Sequence, residues 1–158
     1  MQNLLHTRAS ARCLKLLLLL VALMLLPTAV LAQEGSQPSR YEFITVDLWP
    51  DYDRPELLVI LNASLAPETP LPAIVTLPLP ENASINAVAR VDSHNILVDD
   101  LDYTADDTAL VFTTPNLSFQ VEYYQPYEET AEQHDISFRW TAPLPVQQFL
   151  ITVQEPFE

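Results

Sequence analysis

The sequence predicts an all-β domain, an antiparallel β-sandwich or a partly closed barrel, preceded by an N-terminal hydrophobic signal segment. Apolar and polar residues alternate with a period of two over many short segments, as they do in half-buried strands. Turn-forming proline is frequent: the chain has fourteen prolines, against the single glycine Gly35. No window carries the 3.6-residue apolar stripe of an amphipathic helix, so strands joined by crossover helices are not expected.

Residues 1–32 have the three parts of a secretory signal peptide. The start is basic without an acidic residue, an apolar run follows from Leu16 to Leu26, and Ala32 ends a small-residue cleavage site. We expect cleavage after Ala32, which makes the protein secreted or periplasmic at the cell envelope, with no membrane attachment. An uncleaved signal anchor is the alternative, because the apolar stretch Leu14–Leu31 is marginally long enough to span a bilayer.

Cleavage would leave 126 of the 158 residues, an ordinary size for one domain with its own core. It would remove three basic residues and no acidic one, taking the net charge from −14 to −17. Such a charge repels phosphate backbones, which excludes nucleic acid as a partner and disfavours anionic membranes. The only cysteine, Cys13, lies in the signal, so the domain has neither a disulfide nor thiol chemistry.

We expect a polar tether at residues 33–39 and a single sandwich domain at residues 40–158. Six strands are predicted where apolar runs end at Pro, Asp or Asn, which mark turns. They are Tyr41–Leu48, Leu57–Leu65, Ala73–Leu79, Ile85–Val91, Asn95–Val98 and Thr108–Thr113. Three more show regular alternation, and they are Phe119–Tyr123, Ile136–Trp140 and Phe149–Gln154. The apolar phase predicts that Phe119, Val121, Ile136, Phe138 and Trp140 are buried.

The scarcity of glycine constrains the turns. Tight hairpins need residues at positive φ, which glycine adopts most easily. We therefore expect longer connections, or turns built on Asn and Asp with Pro at the corners.

One segment carries a resemblance to a known group of proteins. Trp49-Pro50-Asp51-Tyr52-Asp53-Arg54-Pro55, followed by Leu58-Val59-Ile60, resembles a segment of uncharacterised bacterial envelope proteins. Those proteins carry immunoglobulin-like β-sandwich domains, some in longer chains with a membrane segment. The resemblance implies that fold and compartment for this chain, and it brings no catalytic motif.

Aromatic residues are the candidates for ligand binding. Tyr123 and Trp140 fall on the apolar phase of their strands, which predicts core packing. Tyr52, Tyr124 and Tyr127 are predicted surface residues that could stack on a sugar or contact a protein. A carbohydrate-recognition domain is therefore one alternative function.

Calcium is the second candidate ligand. Asp99, Asp100 and Asp102 place three hard oxygen ligands on one predicted loop, and calcium takes six to eight such oxygens. The run does not match the EF-hand loop, whose sharp turn requires glycine. A solvated acidic loop without a metal is the other interpretation.

Catalytic residues are few. His134, Asp135 and Ser137 supply the residue types of a triad, but adjacent residues of a strand point to opposite faces. No glycine-containing nucleophile elbow or phosphate loop is present. We therefore expect a non-enzymatic module for binding or spacing at the envelope, with an unknown protein or glycan as partner and no cofactor other than a possible calcium ion. A small hydrolase is a further alternative.

Overall fold

The computed structural model describes residues 35–129 and 134–155. The predicted signal segment and its cleavage site therefore lie outside the described residues. Every regular element within them is a β-strand. In chain order the strands are β1 (Tyr41–Pro50), β2 (Leu57–Leu65), β3 (Ala73–Pro78), β4 (Ser84–Val91), β5 (Leu97–Val98), β6 (Tyr103–Ala105), β7 (Ala109–Thr114), β8 (Ser118–Gln125), β9 (Glu128–Glu129), β10 (His134–Asp135) and β11 (Val146–Val153).

These strands form two main sheets. One sheet has six strands in the order β11-β1-β2-β8-β4-β5, and the other has three in the order β3-β7-β6. β9 and β10 make a separate two-stranded ribbon. Pairing is antiparallel throughout, except that β11 lies parallel to β1. The predicted all-β class is confirmed, and two sheets over one core are consistent with a β-sandwich.

The core forms where alternate side chains of the two sheets meet. β2 buries every second residue, from Leu57 to Leu65, and β3 does the same from Ala73 to Leu77. Phe112 of the three-stranded sheet meets Phe119 of the six-stranded sheet edge to face, with ring centroids 5.1 Å apart. Burial of Phe119 and Val121 is as the sequence predicts, since the period of two sends both to the same face.

Asn and Asp take the place of glycine in the turns. Asp51, Asn82 and Asn95 adopt positive φ values of 53°, 60° and 62°. Their short polar side chains tolerate the left-handed region better than other non-glycine residues do. This confirms the prediction for a chain with almost no glycine.

The predicted strand Ile136–Trp140 is wrong. These residues belong to no strand, and Ile136 is exposed. Phe138 and Trp140 are half-buried and pack on the core. The alternating pattern therefore reflects an irregular segment with one partly buried side. A strand also needs a neighbouring strand that accepts its backbone hydrogen bonds, and apolar periodicity does not specify that neighbour.

The last predicted strand exists as β11, but its alternation does not produce a buried face. Phe149, Ile151 and Val153 pair in register with core residues of β1, yet they are 47%, 43% and 68% exposed. β11 is an edge strand of the six-stranded sheet, and the other main sheet has three strands, so the side of β11 that continues the core face is incompletely covered.

The described part of the predicted tether, residues 35–39, is attached to the domain. The Ser36 amide donates to Pro72 O at 2.8 Å, and the Ile74 amide donates to Ser36 O at 2.8 Å. Gly35 sits where an added Cβ would lie 2.6 Å from Cγ1 of Ile74. Pro38 is buried as well. These backbone hydrogen bonds attach Ser36 to the chain around Pro72 and Ile74.

Candidate functional site

The β1–β2 loop forms the base of the candidate site. Asp51 turns the chain at positive φ, and its amide donates to Glu56 O at 3.2 Å. Within the loop, the Glu56 amide donates to Arg54 O at 2.7 Å. Pro55 has a fixed φ and no amide donor, so it lowers the number of loop conformations. Residues 51–56 thus return the chain from β1 to β2 through a closed loop.

Tyr124 of β8 contacts two residues of this loop, Asp53 and Arg54. Its hydroxyl donates to the Asp53 carboxylate, at 2.8 Å from Oδ1 and 2.9 Å from Oδ2. The guanidinium carbon of Arg54 lies 3.2 Å from the centroid of the Tyr124 ring, a cation–π contact. Burial raises the pKa of the Tyr124 hydroxyl, and the hydrogen bond to Asp53 raises it further, while the charge of Arg54 lowers it. The phenol therefore stays a neutral donor.

Arg54 joins three parts of the fold. Besides its contact with Tyr124, its Nη2 donates to Ser84 Oγ of β4 at 3.0 Å. Its Nε forms an ion pair with Glu56 Oε2 at 2.8 Å. Since the predicted domain has only four arginines, this one serves the loop by linking it to β4 and β8.

Tyr127 supplies another link. Its hydroxyl donates to Asp51 Oδ1, so the chain just after β8 is tied to the first residue of the loop. Together the phenols of Tyr124 and Tyr127 bind the two aspartates that flank Tyr52 in the sequence.

Tyr52 is the exposed aromatic residue of the site. Its side chain is 47% exposed, and its ring meets that of Trp49 edge to face, with centroids 5.0 Å apart and planes 62° apart. The rings of Trp49 and Tyr52 are called the loop platform below. Because the carboxylates of Asp51 and Asp53 are both hydrogen-bonded to tyrosine hydroxyls, the loop that carries this platform is ordered.

The structure thus brings the three predicted tyrosines to one end of the sheet, where they have different environments. Tyr52 is exposed, as predicted, and Tyr127 is half-buried. The predicted exposure of Tyr124 is wrong, since it is 5% exposed. Position on the outer face of β8 indicated solvent, but the folded-back loop with Arg54 covers that face. A direct ligand role for Tyr124 stays a prediction.

An open hollow adjoins Tyr127. It measures about 340 Å³ and is lined by Gln125, Pro126, Tyr127, Asp135 and Ser137. Gln125 Nε2 donates to Ser137 O at 3.0 Å across one wall. Gln125, Asp135 and Ser137 supply polar groups to the lining, which could receive a hydrogen-bonding group of a ligand held on the loop platform.

Sequence reasoning missed Arg54 as a member of the site. It lies within the segment Trp49–Pro55, on which the family resemblance rests. The scarcity of basic residues was the available signal, because an isolated arginine in a very acidic chain has many carboxylates to pair with.

The acidic loop has a definite partner. Arg90 donates to Asp100 through Nε at 2.8 Å and Nη2 at 2.7 Å, a bidentate pair that lowers the pKa of that carboxyl. Asp99 and Asp102 are exposed nearby in the sequence. Within residues 35–129 and 134–155, no three acidic, histidine or cysteine side chains are grouped to hold a metal. Calcium binding by Asp99, Asp100 and Asp102 stays a prediction, and it would compete with Arg90.

The predicted triad types are not assembled into a described catalytic group. Asp135 and Ser137 both line the hollow, while the side chain of His134 lies outside the described residues. The other histidine of the domain, His94, is exposed in the β4–β5 turn, with Nδ1 3.6 Å from Asp92 Oδ2.

Comparison with known proteins identifies no family for this chain. No protein-family model matches the sequence, and no curated protein matches it significantly. A two-domain M1 zinc metallopeptidase mutant bound to L-tryptophan is similar at 15% identity and TM-score 0.38, over 61% of this chain. An M1 zinc metallopeptidase mutant from Deinococcus radiodurans, bound to a Tyr-Ser-Ala substrate, is similar at 16% identity and TM-score 0.36, over 62% of this chain.

This chain spans 22% of the length of each of those peptidases. Likeness at this level carries no inference about activity. In the part of the chain that the structure describes, no helix is long and apolar enough to cross a membrane.

Proposed function

We propose that this chain is a non-enzymatic, exported β-sandwich module of immunoglobulin-like type that binds a partner at the cell envelope through the loop platform. The observation that carries the proposal is the exposed Tyr52 on a loop whose neighbours Asp51 and Asp53 are both held by tyrosine hydroxyls. Two sheets over one core and the resemblance of the segment Trp49–Pro55 support the fold type.

An ordered loop favours binding for an entropic reason. A mobile loop must lose conformational freedom when it binds, and that loss subtracts from affinity. Here the links to Tyr124, Tyr127 and Ser84 order the loop before any partner arrives. Tyrosine and tryptophan then offer large contact areas at low side-chain entropy cost.

The envelope location rests on residues 1–32. Their basic start, apolar run and Ala32 are the reasons to expect export and cleavage. Expression of the full sequence followed by N-terminal sequencing of the secreted chain should give Gln33 as the first residue. Recovery of the intact chain in a membrane pellet would establish the anchored alternative.

Sedimentation with washed envelopes of the source cells tests binding. The secreted chain should pellet with them, and Tyr52→Ala should reduce the bound fraction by about tenfold, as loss of a central aromatic contact does. Tyr103→Ala is the matched control, because Tyr103 is 46% exposed on β6, outside the platform. Equal binding by Tyr52→Ala and the control would overturn the assignment of the platform.

A carbohydrate partner is the second candidate, and the pair of half-buried Trp49 and exposed Tyr52 favours it, since aromatic rings stack on the apolar faces of sugars. Envelopes treated with periodate lose intact sugar rings, whereas envelopes treated with protease lose proteins. Binding that survives protease and fails after periodate would assign a glycan. The reverse result would assign a protein.

A further inference from the structure

The sheet edges of this protein are protected unequally. An exposed edge presents unpaired backbone groups that can add another strand, and natural proteins shorten, charge or cover such edges. In the described residues, the edge strands β5 and β6 have only two and three residues. The edge strand β3 is met by Ser36, which bonds to the chain at Pro72 and Ile74.

β11 has none of these protections. It is eight residues long, with the sequence VQQFLITV, and it contains neither a charged residue nor a proline. It pairs with β1 on one side, and no described strand pairs with its other side. Four of its apolar side chains are exposed, on both faces of the strand: Phe149, Leu150, Ile151 and Val153. A long uncharged edge of this kind is the usual site of strand addition.

The two faces of β11 differ in what surrounds them. Phe149, Ile151 and Val153 lie on the side that continues the core face. Phe149, which stacks on Trp140, also lines a hollow of about 350 Å³. On the opposite side, Thr152 pairs with Asp47 of β1 and donates its hydroxyl to that carboxylate. An added strand would lie about 5 Å from β11 and about 10 Å from β1.

We propose that β11 is a docking strand for an extended, basic segment of another protein, in which lysine or arginine alternates with apolar residues. The apolar residues of that segment would cover the open core side. Its basic residues would face the side of Asp47, within about one Debye length of the carboxylate at physiological salt. The net charge of −17 predicted for the domain favours a basic partner over a second copy, because two such domains repel each other.

The end of β11 lies beside the loop platform, because the Gln154 amide donates to Leu48 O at 2.9 Å, but the two proposals use different side chains. The peptide titration tests the strand edge and Tyr52→Ala tests the platform, so either proposal can fail while the other stands. The probe is a fluorescent eight-residue peptide in which lysine and valine alternate, titrated into the secreted chain and followed by anisotropy. Two comparison peptides each change one property of this peptide, either the order of its residues or the sign of its charge. One groups the same lysines and valines into two blocks, and the other replaces each lysine with glutamate.

The alternating lysine peptide should bind at least about tenfold more tightly than either comparison peptide. Equal binding of the block peptide would overturn the proposal, since general attraction to an acidic protein would then explain the affinity. This comparison uses the unaltered chain, so it is decisive whether or not any variant folds. Binding of the glutamate peptide as tightly as the lysine peptide would overturn the choice of a basic partner.

Ile151→Lys places a charge on the edge and should weaken binding of the lysine peptide by at least about tenfold. Ile96→Lys is the control, because Ile96 is 58% exposed and lies in the β4–β5 turn. An equal effect of both variants would contradict docking at β11. Concentration-dependent dimers of the wild-type chain in sedimentation, abolished by Ile151→Lys, would show that a second copy occupies the edge and would overturn the proposal.

Discussion

The guanidinium of Arg54 lies over the ring of Tyr124, 3.2 Å from its centroid, while the hydroxyl of the same tyrosine bonds to Asp53. One aromatic side chain of β8 thus contacts two adjacent residues of the β1–β2 loop. Its ring face contacts the cation of Arg54, and its hydroxyl donates to the carboxylate of Asp53. This relationship gives the loop platform its order and leads to the first prediction.

A double-mutant cycle on Arg54→Met and Tyr124→Leu should show a coupling free energy of about 0.5–1 kcal/mol, the range of a cation–π contact at a partly exposed site. Chemical denaturation of the four proteins gives the measurement. The control cycle combines Arg54→Met with Tyr103→Leu, at an exposed residue of β6. Its two effects on the free energy of unfolding should add within about 0.3–0.5 kcal/mol. Additivity in the first cycle would mean that the contact contributes nothing to stability.

The loss of stability caused by a substitution in the core should increase with the burial of the residue replaced. Phe119 is 1% exposed and packs edge to face on Phe112, so Phe119→Ala should lower the free energy of unfolding by about 3–5 kcal/mol. Phe138 is half-buried outside any strand, so Phe138→Ala should cost less, about 1–2 kcal/mol. Urea titrations with unchanged m values test both. The opposite order would place the segment 136–140 in the main core.

Two buried tyrosines should make the protein sensitive to alkali. The hydroxyls of Tyr41 and Tyr123 are buried and have no hydrogen-bond partner in the described structure, and burial raises the pKa of both. A raised folded-state pKa means that the folded protein holds these protons more strongly than the unfolded chain does. The stabilising contribution is therefore complete below about pH 10, the ordinary tyrosine pKa, and is lost as the pH rises above it.

Tyr41→Phe and Tyr123→Phe should each reduce this alkaline loss of stability. At neutral pH each variant should be as stable as the wild type or more stable, since an unpaired buried hydroxyl is removed. Free energies of unfolding at about pH 7 and about pH 10.5 give the comparison, with Tyr103→Phe as the exposed control. A neutral-pH loss above about 1 kcal/mol for Tyr41→Phe would reveal a partner for its hydroxyl.

Charge repulsion and calcium binding make different predictions for the acidic loops. Simple salt should raise the melting temperature until about 0.1–0.2 M, where the Debye length falls to about 8–10 Å. In about 0.15 M sodium chloride, melting curves with about 1 mM calcium, about 1 mM magnesium and neither should coincide, because screening already relieves the repulsion. Asp100 is also occupied by Arg90. A rise of several degrees with calcium alone, abolished by changing Asp99, Asp100 and Asp102 to Asn, would establish the metal site.

Local pattern was sufficient to predict most strands. The bounds of β2, Leu57–Leu65, are those that the sequence predicts, and β1, β3, β4 and β7 differ from prediction by one or two residues at an end. Each of these strands is flanked by Pro, Asp or Asn, and each packs one face on the core. Where both conditions hold, the local signal and the tertiary structure agree.

The candidate site was predictable in part. Alternation placed Tyr124 opposite the core residue Tyr123, but it could not show that Arg54 folds back over the Tyr124 ring. The pairing of Asp100 with Arg90 was equally hidden, because it joins residues on different segments of the chain. Contacts of this kind depend on loop paths, and a periodic pattern carries no information on them.

The sequence by itself determined the all-β class, the use of Asn and Asp in turns, and the strong negative charge, since these follow from composition and nearest neighbours. Only the tertiary structure decided which apolar faces are covered. Phe119 and Phe149 have similar alternating surroundings, yet one is buried and the other is 47% exposed. The physical reason is that burial depends on what packs over a strand, and Phe119 lies on the interior strand β8 whereas Phe149 lies on the edge strand β11.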